Sequence, residues 1–418
     1  MPGLIVVGLQ FGDEGKGKVV DYYAENADMV VRYAGGANAG HTLVVNGKKT
    51  ILRLIPSGIL NPNAVCVMAQ GMAIDPLVLA SEIKALREAD IKVDGRLFLS
   101  DKASLIMPYH LEIDQLRERG SNKLGTTKKG IGPTYEDKVS RRGLRLEALR
   151  DIDKAWDQLW NSFYYWTTAY KGQLNNPLMS TQRMYMSEAA DALLPFLTDT
   201  TTMVNAALKN RQNVLFEGAQ GTMLDIDHGT YPYVTSSSAI AGGACTGAGV
   251  GPTRINKVIG ITKAYTTRVG EGPFDTELTD ELADQIRTKG HEFGSVTGRP
   301  RRVGWLDLLD LKYACMVNGT TALAITKLDI LSGLPSILIC NNKGIGTDFK
   351  TDETQDVRTY ETLPGWEEDL THAKKFSDLP KNAQRYVEYI ESFLETPVCL
   401  ISVGADRNNT IITRDAFV

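Results

Sequence analysis

The chain has 418 residues, of which 43% are hydrophobic and 23% charged, and its formal net charge is −4. That length supports a large core, as one elaborate domain or two, and the mild acidity gives no global attraction to nucleic acid or anionic membrane. No basic N-terminal region precedes an apolar run, and no stretch approaches the roughly 20 apolar residues of a membrane span, so neither a signal peptide nor a transmembrane helix is expected. The five cysteines (66, 245, 315, 340, 399) are dispersed and odd in number, without CxxC or HxxxH spacing. They read as buried free thiols of a reducing compartment, which excludes a structural zinc and points to the cytoplasm.

In chain order, the first element is the apolar run "LIVVG" (4–8), a strand that enters the glycine-rich "LQFGDEGKGK". "DMVVRYAGG" (28–36) repeats the pattern, and "HTLVVNGKKTILRLI" carries an Asn46-Gly47 turn between alternating segments, a hairpin signal. Further buried strands are expected at 64–71, 96–101, 213–221, 257–265, 322–329, 336–340 and 398–404, with helices at 75–89, 278–289, 304–317 and 381–395. Residues 145–212 have helical periodicity and almost no strand signal, with Trp156, Trp160, Phe163 and Tyr170 near one face and Trp166 to one side. The polar stretch 341–372 reads as a solvated surface elaboration. The fold class is α/β: a single domain spanning 1–418 around a largely parallel central sheet, with a helical excursion at about 145–212.

Ligands of such sheets bind beyond the carboxyl ends of the strands. The loops expected there are 10–18, 35–42, 124–134, 217–222, 295–302, 327–329 and 402–407. The first resembles a phosphate loop with altered spelling. Six residues separate Gly8 from Gly15 where the usual pattern has four, and Gly17 stands where a Ser or Thr would hold magnesium. Gly12, Gly15 and Gly17 let backbone approach a phosphate, and Lys16 and Lys18 supply charge. Asp13 can ligate magnesium in place of the missing hydroxyl, act as general base on a second substrate, or cap the helix as Glu14 can. "KLD" (327–329) ends a strand: an aspartate accepts from the guanine ring N–H and amine, and a lysine stem covers the purine face. With "SVGAD" (402–406) it favours GTP over ATP, so the first loop is a P-loop-like GTP site. "GRPRR" (298–302) offers arginine forks for carboxylate or phosphate, and the Gly-, Thr- and cation-rich 125–145 reads as an anion-binding loop.

Together "GDEGKGK", "GGANAGHT", "GTTKKGIGPTYEDKVSRRGLR", "FEGAQGTMLDIDHGTYPYVTSS", "TGRPRRVGWLD" and "TKLD" resemble the adenylosuccinate synthetase family, from Gly3 to the C-terminal "SVGADR". The resemblance implies GTP-dependent ligation of IMP and L-aspartate to adenylosuccinate through a 6-phosphoryl intermediate, with release of GDP and phosphate. This is the first committed step from IMP to AMP. It implies catalytic roles for Asp13, His41, Lys16 and Gln220, and magnesium held by Asp13 and Gly40. GTP would contact Gly12, Asp13, Glu14, Gly15, Lys16, Gly17 and Lys18, then Gly40, His41 and Thr42, Arg301, Lys327, Leu328 and Asp329, and Ser402, Val403 and Gly404. IMP would meet Asp13, Lys16, Asn38, Ala39, Gly40, His41, Thr127, Arg145, Gln220, Thr235 and Arg299, with Arg141 reaching in from the second subunit of a homodimer. L-Aspartate would sit on Ser295, Val296, Thr297, Gly298, Arg299, Pro300 and Arg301. The chain departs from the family pattern after "VTSS", where it reads "SAIAGG". A GTP-dependent regulatory switch and a nucleotide kinase share parts of this pattern, but neither explains the number of anion-binding loops.

Overall fold

The computed structural model describes residues 3–415 other than 39, 46–47, 121–122, 172, 175–178, 295–297 and 349–352, and does not describe the side chains at 41–49, 175–180 and 345–356. Among the described residues, ten strands form one sheet. Across it run Thr410–Ile412, Val398–Ser402, Ala322–Thr326, Lys257–Lys263, Gly3–Gly8, Val214–Glu217, Met29–Arg32, Val65–Met68, Leu97–Ser100 and Leu197–Thr198. Every neighbouring pair is parallel except the edge strand Thr410–Ile412. The sequence explains why: all six residues of Gly3–Gly8 are buried, as are all four of Met29–Arg32 and Val214–Glu217. Unbroken apolar runs of that kind fit strands covered on both faces by helices. Two apolar clusters result, one on each face, containing Leu4 and Val6 on one side and Ile5 and Val7 on the other.

Helices at Pro76–Glu88, Glu281–Lys289, Leu308–Asn318 and Lys381–Leu394 occupy the expected stretches. Their starts follow local chemistry: the carboxylates of Asp75, Asp280 and Asp307 accept the first free backbone N–H groups. Strands His41–Val45 and Lys48–Leu52 form the expected antiparallel hairpin, although its Asn46-Gly47 turn lies outside the described residues.

Two elements differ from the sequence reading. "SILIC" lies outside the large sheet. It begins the strand Ser336–Asp348, which pairs in parallel with Leu306–Asp307 and in antiparallel fashion with Glu353–Pro364. Much of 341–372 is therefore a long hairpin, whose exposed Val357, Thr359 and Tyr360 fit a two-sided ribbon better than a loop. The polarity of the segment reported its exposure and concealed its extension.

In 145–212 lie the helices Ile152–Ala169, Met179–Leu193 and Thr200–Lys209, with the two-residue strand Leu197–Thr198 completing the sheet edge. The aromatic face also differs, because Trp166 is buried together with Phe163 while Trp160 is half exposed. Trp166 is drawn inward by the fully buried Asp137, which accepts its indole N–H at 3.0 Å and the Ser162 hydroxyl at 2.8 Å. The same carboxylate accepts the Nε2–H of His110 at 3.0 Å, while His110 Nδ1 accepts from the Met107 amide. Burial lowers the His110 pKa against the opposing pull of Asp137, so this neutral tautomer ties together three helices.

Candidate active site

Because the strands are parallel, the loops after Gly8, Arg32, Glu217, Thr326 and Ser402 all leave the same edge of the sheet. The first begins the site. Gly12 and Gly15 have φ of 86° and 83°, values that a side chain would strain, and Gly15 precedes the helix Lys16–Ala24. The acidic pair divides between two jobs. Glu14 is fully buried: Oε1 accepts the amides of Gln10 at 3.1 Å and Gly12 at 2.9 Å, and Oε2 pairs with Lys16 Nζ at 2.5 Å. It braces the loop from inside and supplies Lys16 with a counter-charge. A Cβ on Gly8 or Gly221 would lie 2.4 or 2.5 Å from that carboxylate, so both glycines make room for it. Asp13 has φ 59° and turns outward, where its Oδ2 lies 2.8 Å from Arg301 Nε. Arg301 in turn gives Nη1 to Glu292 at 2.5 Å.

Beside the loop, the Thr326 hydroxyl donates to the Glu14 carbonyl at 2.7 Å, fastening the end of the "TKLD" strand to it. Lys327 has φ 58°, and its Nζ reaches the Gly290 carbonyl at 2.8 Å and Glu292 at 2.7 Å. Burial raises the Asp329 pKa, while the side chains of Leu328 and Val403 belong to the core. Lys18 does not face the loop's anion side. Its Nζ holds the Ser402 hydroxyl at 2.7 Å and the Gly404 and Asn409 carbonyls at 2.8 and 3.0 Å, and burial lowers its pKa to about 8. Arg407 adds a two-pronged pair with Asp21, 2.6 Å on each side. The 402–409 turn is thus fastened to the helix that starts at the phosphate loop.

On the other side, Gln220 (φ 55°) donates from Nε2 to Asn38 at 3.2 Å, while its buried Oε1 has no hydrogen-bond partner among the described residues. The Thr235 amide donates to the Leu224 carbonyl at 2.8 Å. The buried Asp225 carboxylate accepts the Ala239 and Ile240 amides, so the divergent "SAIAGG" stretch is anchored to this loop system. Exposed Thr127 lies on a loop held by Asp114, which accepts from Thr126 and the Gly130 amide at 2.8 Å each. Arg141 ends the helix Ile131–Ser140 in the left-handed conformation, exposed, and Arg145 is likewise exposed. Arg299 is half exposed, 3.9 Å from Glu271. Ala39, residues 295–297 and the side chains of His41 and Thr42 lie outside the described residues.

Glu292, Lys263, Tyr265 and Asp225 were absent from the sequence reading. Lys263 and Tyr265 close the run "KVIGITKAY", so a lysine ending a buried strand was the available signal; Glu292 carried none. Among the described residues, no three His, Cys, Asp or Glu side chains form a metal cage. Magnesium does not need one, since it uses one or two carboxylates together with phosphate oxygens and water. The outward carboxylate of Asp13, beside a phosphate loop, fits that role.

Comparisons with known proteins identify the family. The adenylosuccinate synthetase family model matches residues 5–411. Adenylosuccinate synthetases of Sorangium cellulosum and Desulforamulus reducens are 52% and 48% identical, each over all of both chains. The fully ligated Plasmodium falciparum adenylosuccinate synthetase superposes with a TM-score of 0.91 at 38% identity, over 99% of this chain and 100% of that one. A cyanophage S-2L succinoaminodeoxyadenylate synthetase, bound to dGMP and dATP, shares the fold at TM-score 0.65 and 20% identity over 99% of this chain and 95% of that one. The chain belongs to the adenylosuccinate synthetase family, the ligases that use GTP to join IMP and L-aspartate as adenylosuccinate in AMP synthesis.

Proposed function

We propose that Asp13 is the base and magnesium ligand of this reaction. One observation carries the reading: of the loop's two carboxylates, Glu14 is spent on the loop's own amides and Lys16, and Asp13 faces outward to Arg301. Asp13 takes the N1 proton of IMP, and the 6-oxygen attacks the γ-phosphorus of GTP, releasing GDP. The amine of L-aspartate then adds at C6 and phosphate leaves, a far better leaving group than a carbonyl oxygen. Asp13 and Gly40 would hold magnesium, which would neutralise phosphate charge when bound. Lys16, His41 and Gln220 attend the phosphoryl transfer. Asn38, Ala39, Thr127, Thr235, Arg145 and Arg299 hold IMP, residues 295–301 hold L-aspartate, and Asp329 with the 402–404 turn reads guanine.

The protein acts as one domain, in the cytoplasm and as a homodimer. No helix among the described residues is long and apolar enough to cross a membrane. The exposure of Arg141 at the end of the helix Ile131–Ser140 supports a role in the neighbouring subunit's IMP site. If so, mixing Arg141→Leu with Asp13→Asn subunits is expected to restore up to about a quarter of wild-type turnover, because random pairing makes half the dimers hybrids with one intact site each. Hybrids that form yet stay inactive would remove Arg141 from that role.

The reaction itself is tested by incubating protein with magnesium and GTP, adding IMP and L-aspartate singly and together. GDP matched to adenylosuccinate, and only with both present, is the expected result. GDP released without them would point to a GTPase switch instead.

A further inference from the structure

Glu292 is fully buried, and a buried carboxylate is tolerated only where cations and donors repay its lost hydration. Its two oxygens are divided. Oε1 receives Lys263 Nζ at 3.2 Å, the Tyr265 hydroxyl at 2.6 Å and Lys327 Nζ at 2.7 Å, while Oε2 receives Arg301 Nη1 at 2.5 Å. Lys263 and Tyr265 lie at the end of the central strand Lys257–Lys263, itself part of the rigid sheet. Arg301 and Lys327, by contrast, belong to different ligand loops, and Arg301 extends its other edge to Asp13.

We propose that Glu292 is a positioning residue that couples the L-aspartate loop to the guanine loop, because its carboxylate is shared between Arg301 and Lys327. The proposal rests on the assignment of those loops made above. When an incoming carboxylate draws on Arg301, Oε2 loses part of its partner, and the compensating pull falls on Lys327 through Oε1. The reverse holds when guanine engages the 327–329 turn. Burial alone would raise the Glu292 pKa, but Lys263, Lys327 and Arg301 outweigh it and hold the carboxyl well below the usual range, so the shared charge is permanent at neutral pH.

Glu292→Gln keeps the size and removes the charge. GDP affinity, measured with and without saturating L-aspartate in the presence of IMP, is expected to improve about fivefold with L-aspartate in the wild type and to be indifferent to it in the variant. The KM for L-aspartate should rise about tenfold and that for GTP about threefold, with the KM for IMP unchanged within twofold, since none of the four side chains that bond Glu292 is assigned to IMP. A ratio that survives in the variant, or is absent in the wild type, overturns the proposal; so does a uniform rise of all three KM values, which a merely structural residue would produce. If Glu292→Gln does not fold, Tyr265→Phe decides: it removes one hydrogen bond and should roughly halve the L-aspartate effect on GDP affinity. An unchanged effect there also overturns the coupling. Wild-type protein that consumes no GTP in response to L-aspartate would instead fail the underlying functional reading, and the two failures are thereby told apart.

Discussion

Asp13→Asn is expected to lower turnover by roughly 10³-fold, the scale of a lost general base, while GTP affinity stays within about tenfold. The substitution isolates chemistry from structure. Asparagine is among the few residues at ease near the φ of 59° found here, so the loop conformation survives. The brace beneath the loop also survives, because Glu14 and Lys16 make it. Asparagine keeps the size but loses the charge that pairs with Arg301, cannot take the N1 proton, and is a weaker ligand for a hard cation. Turnover at saturating substrates, set beside a calorimetric GTP titration, makes the comparison. Retained turnover would reject Asp13 as the base, whereas loss of GTP binding in step with turnover would make it a nucleotide ligand only.

Asp329→Asn is expected to move nucleotide preference from GTP towards XTP, by about 10² in the ratio of kcat/KM. The carboxylate accepts from two guanine donors, the ring N–H and the exocyclic amine. Asparagine keeps one acceptor for the ring N–H but turns an amide donor towards the exocyclic amine, so one hydrogen bond to a charged group, worth about 1.5–3 kcal/mol, is lost and a buried donor is left unmatched. Xanthine carries an oxygen where guanine has its amine, so the asparagine amide regains a partner. Burial already raises the Asp329 pKa, which marks a site where an unmatched polar group is costly. The companion 402–409 turn is fastened by Lys18 and Arg407 and not by Asp329, so the preference should change without a change in fold. Paired kcat/KM measurements with GTP and XTP, alongside a melting curve, check this; an unchanged ratio would reject Asp329 as the guanine reader.

Much of the architecture was legible because parallel, doubly covered strands announce themselves. "LIVV", "MVV" and "VLF" are apolar on both faces, and each leads into glycine-rich sequence at the edge where ligands bind. Helix starts could be read for the same reason, since the capping aspartates at 75, 280 and 307 act within three residues of themselves. The 336–364 hairpin was not legible. Its polar, partly exposed ribbon has the composition of a loop, and its pairing with Leu306–Asp307 is set some thirty residues away. Trp166 was misjudged for a similar reason. Which face of the helix Ile152–Ala169 turns inward depends on Asp137, a partner on another helix.

The site divides along the same line. The sequence by itself determined the family, the order of the glycine-rich loops along the sheet edge and the presence of two carboxylates in the first of them, because those features are contiguous and their chemistry is local. Only the tertiary structure decided which carboxylate faces out, since the answer depends on amides of Gln10 and Gly12 folding over Glu14 and on Arg301 arriving from almost three hundred residues away. It also decided that Lys18 secures the 402–409 turn, and that Glu292 gathers Lys263, Lys327 and Arg301. Charge pairing acts across a few ångströms of space whatever the distance along the chain, so buried ionic hubs leave no periodic trace in the residues that build them.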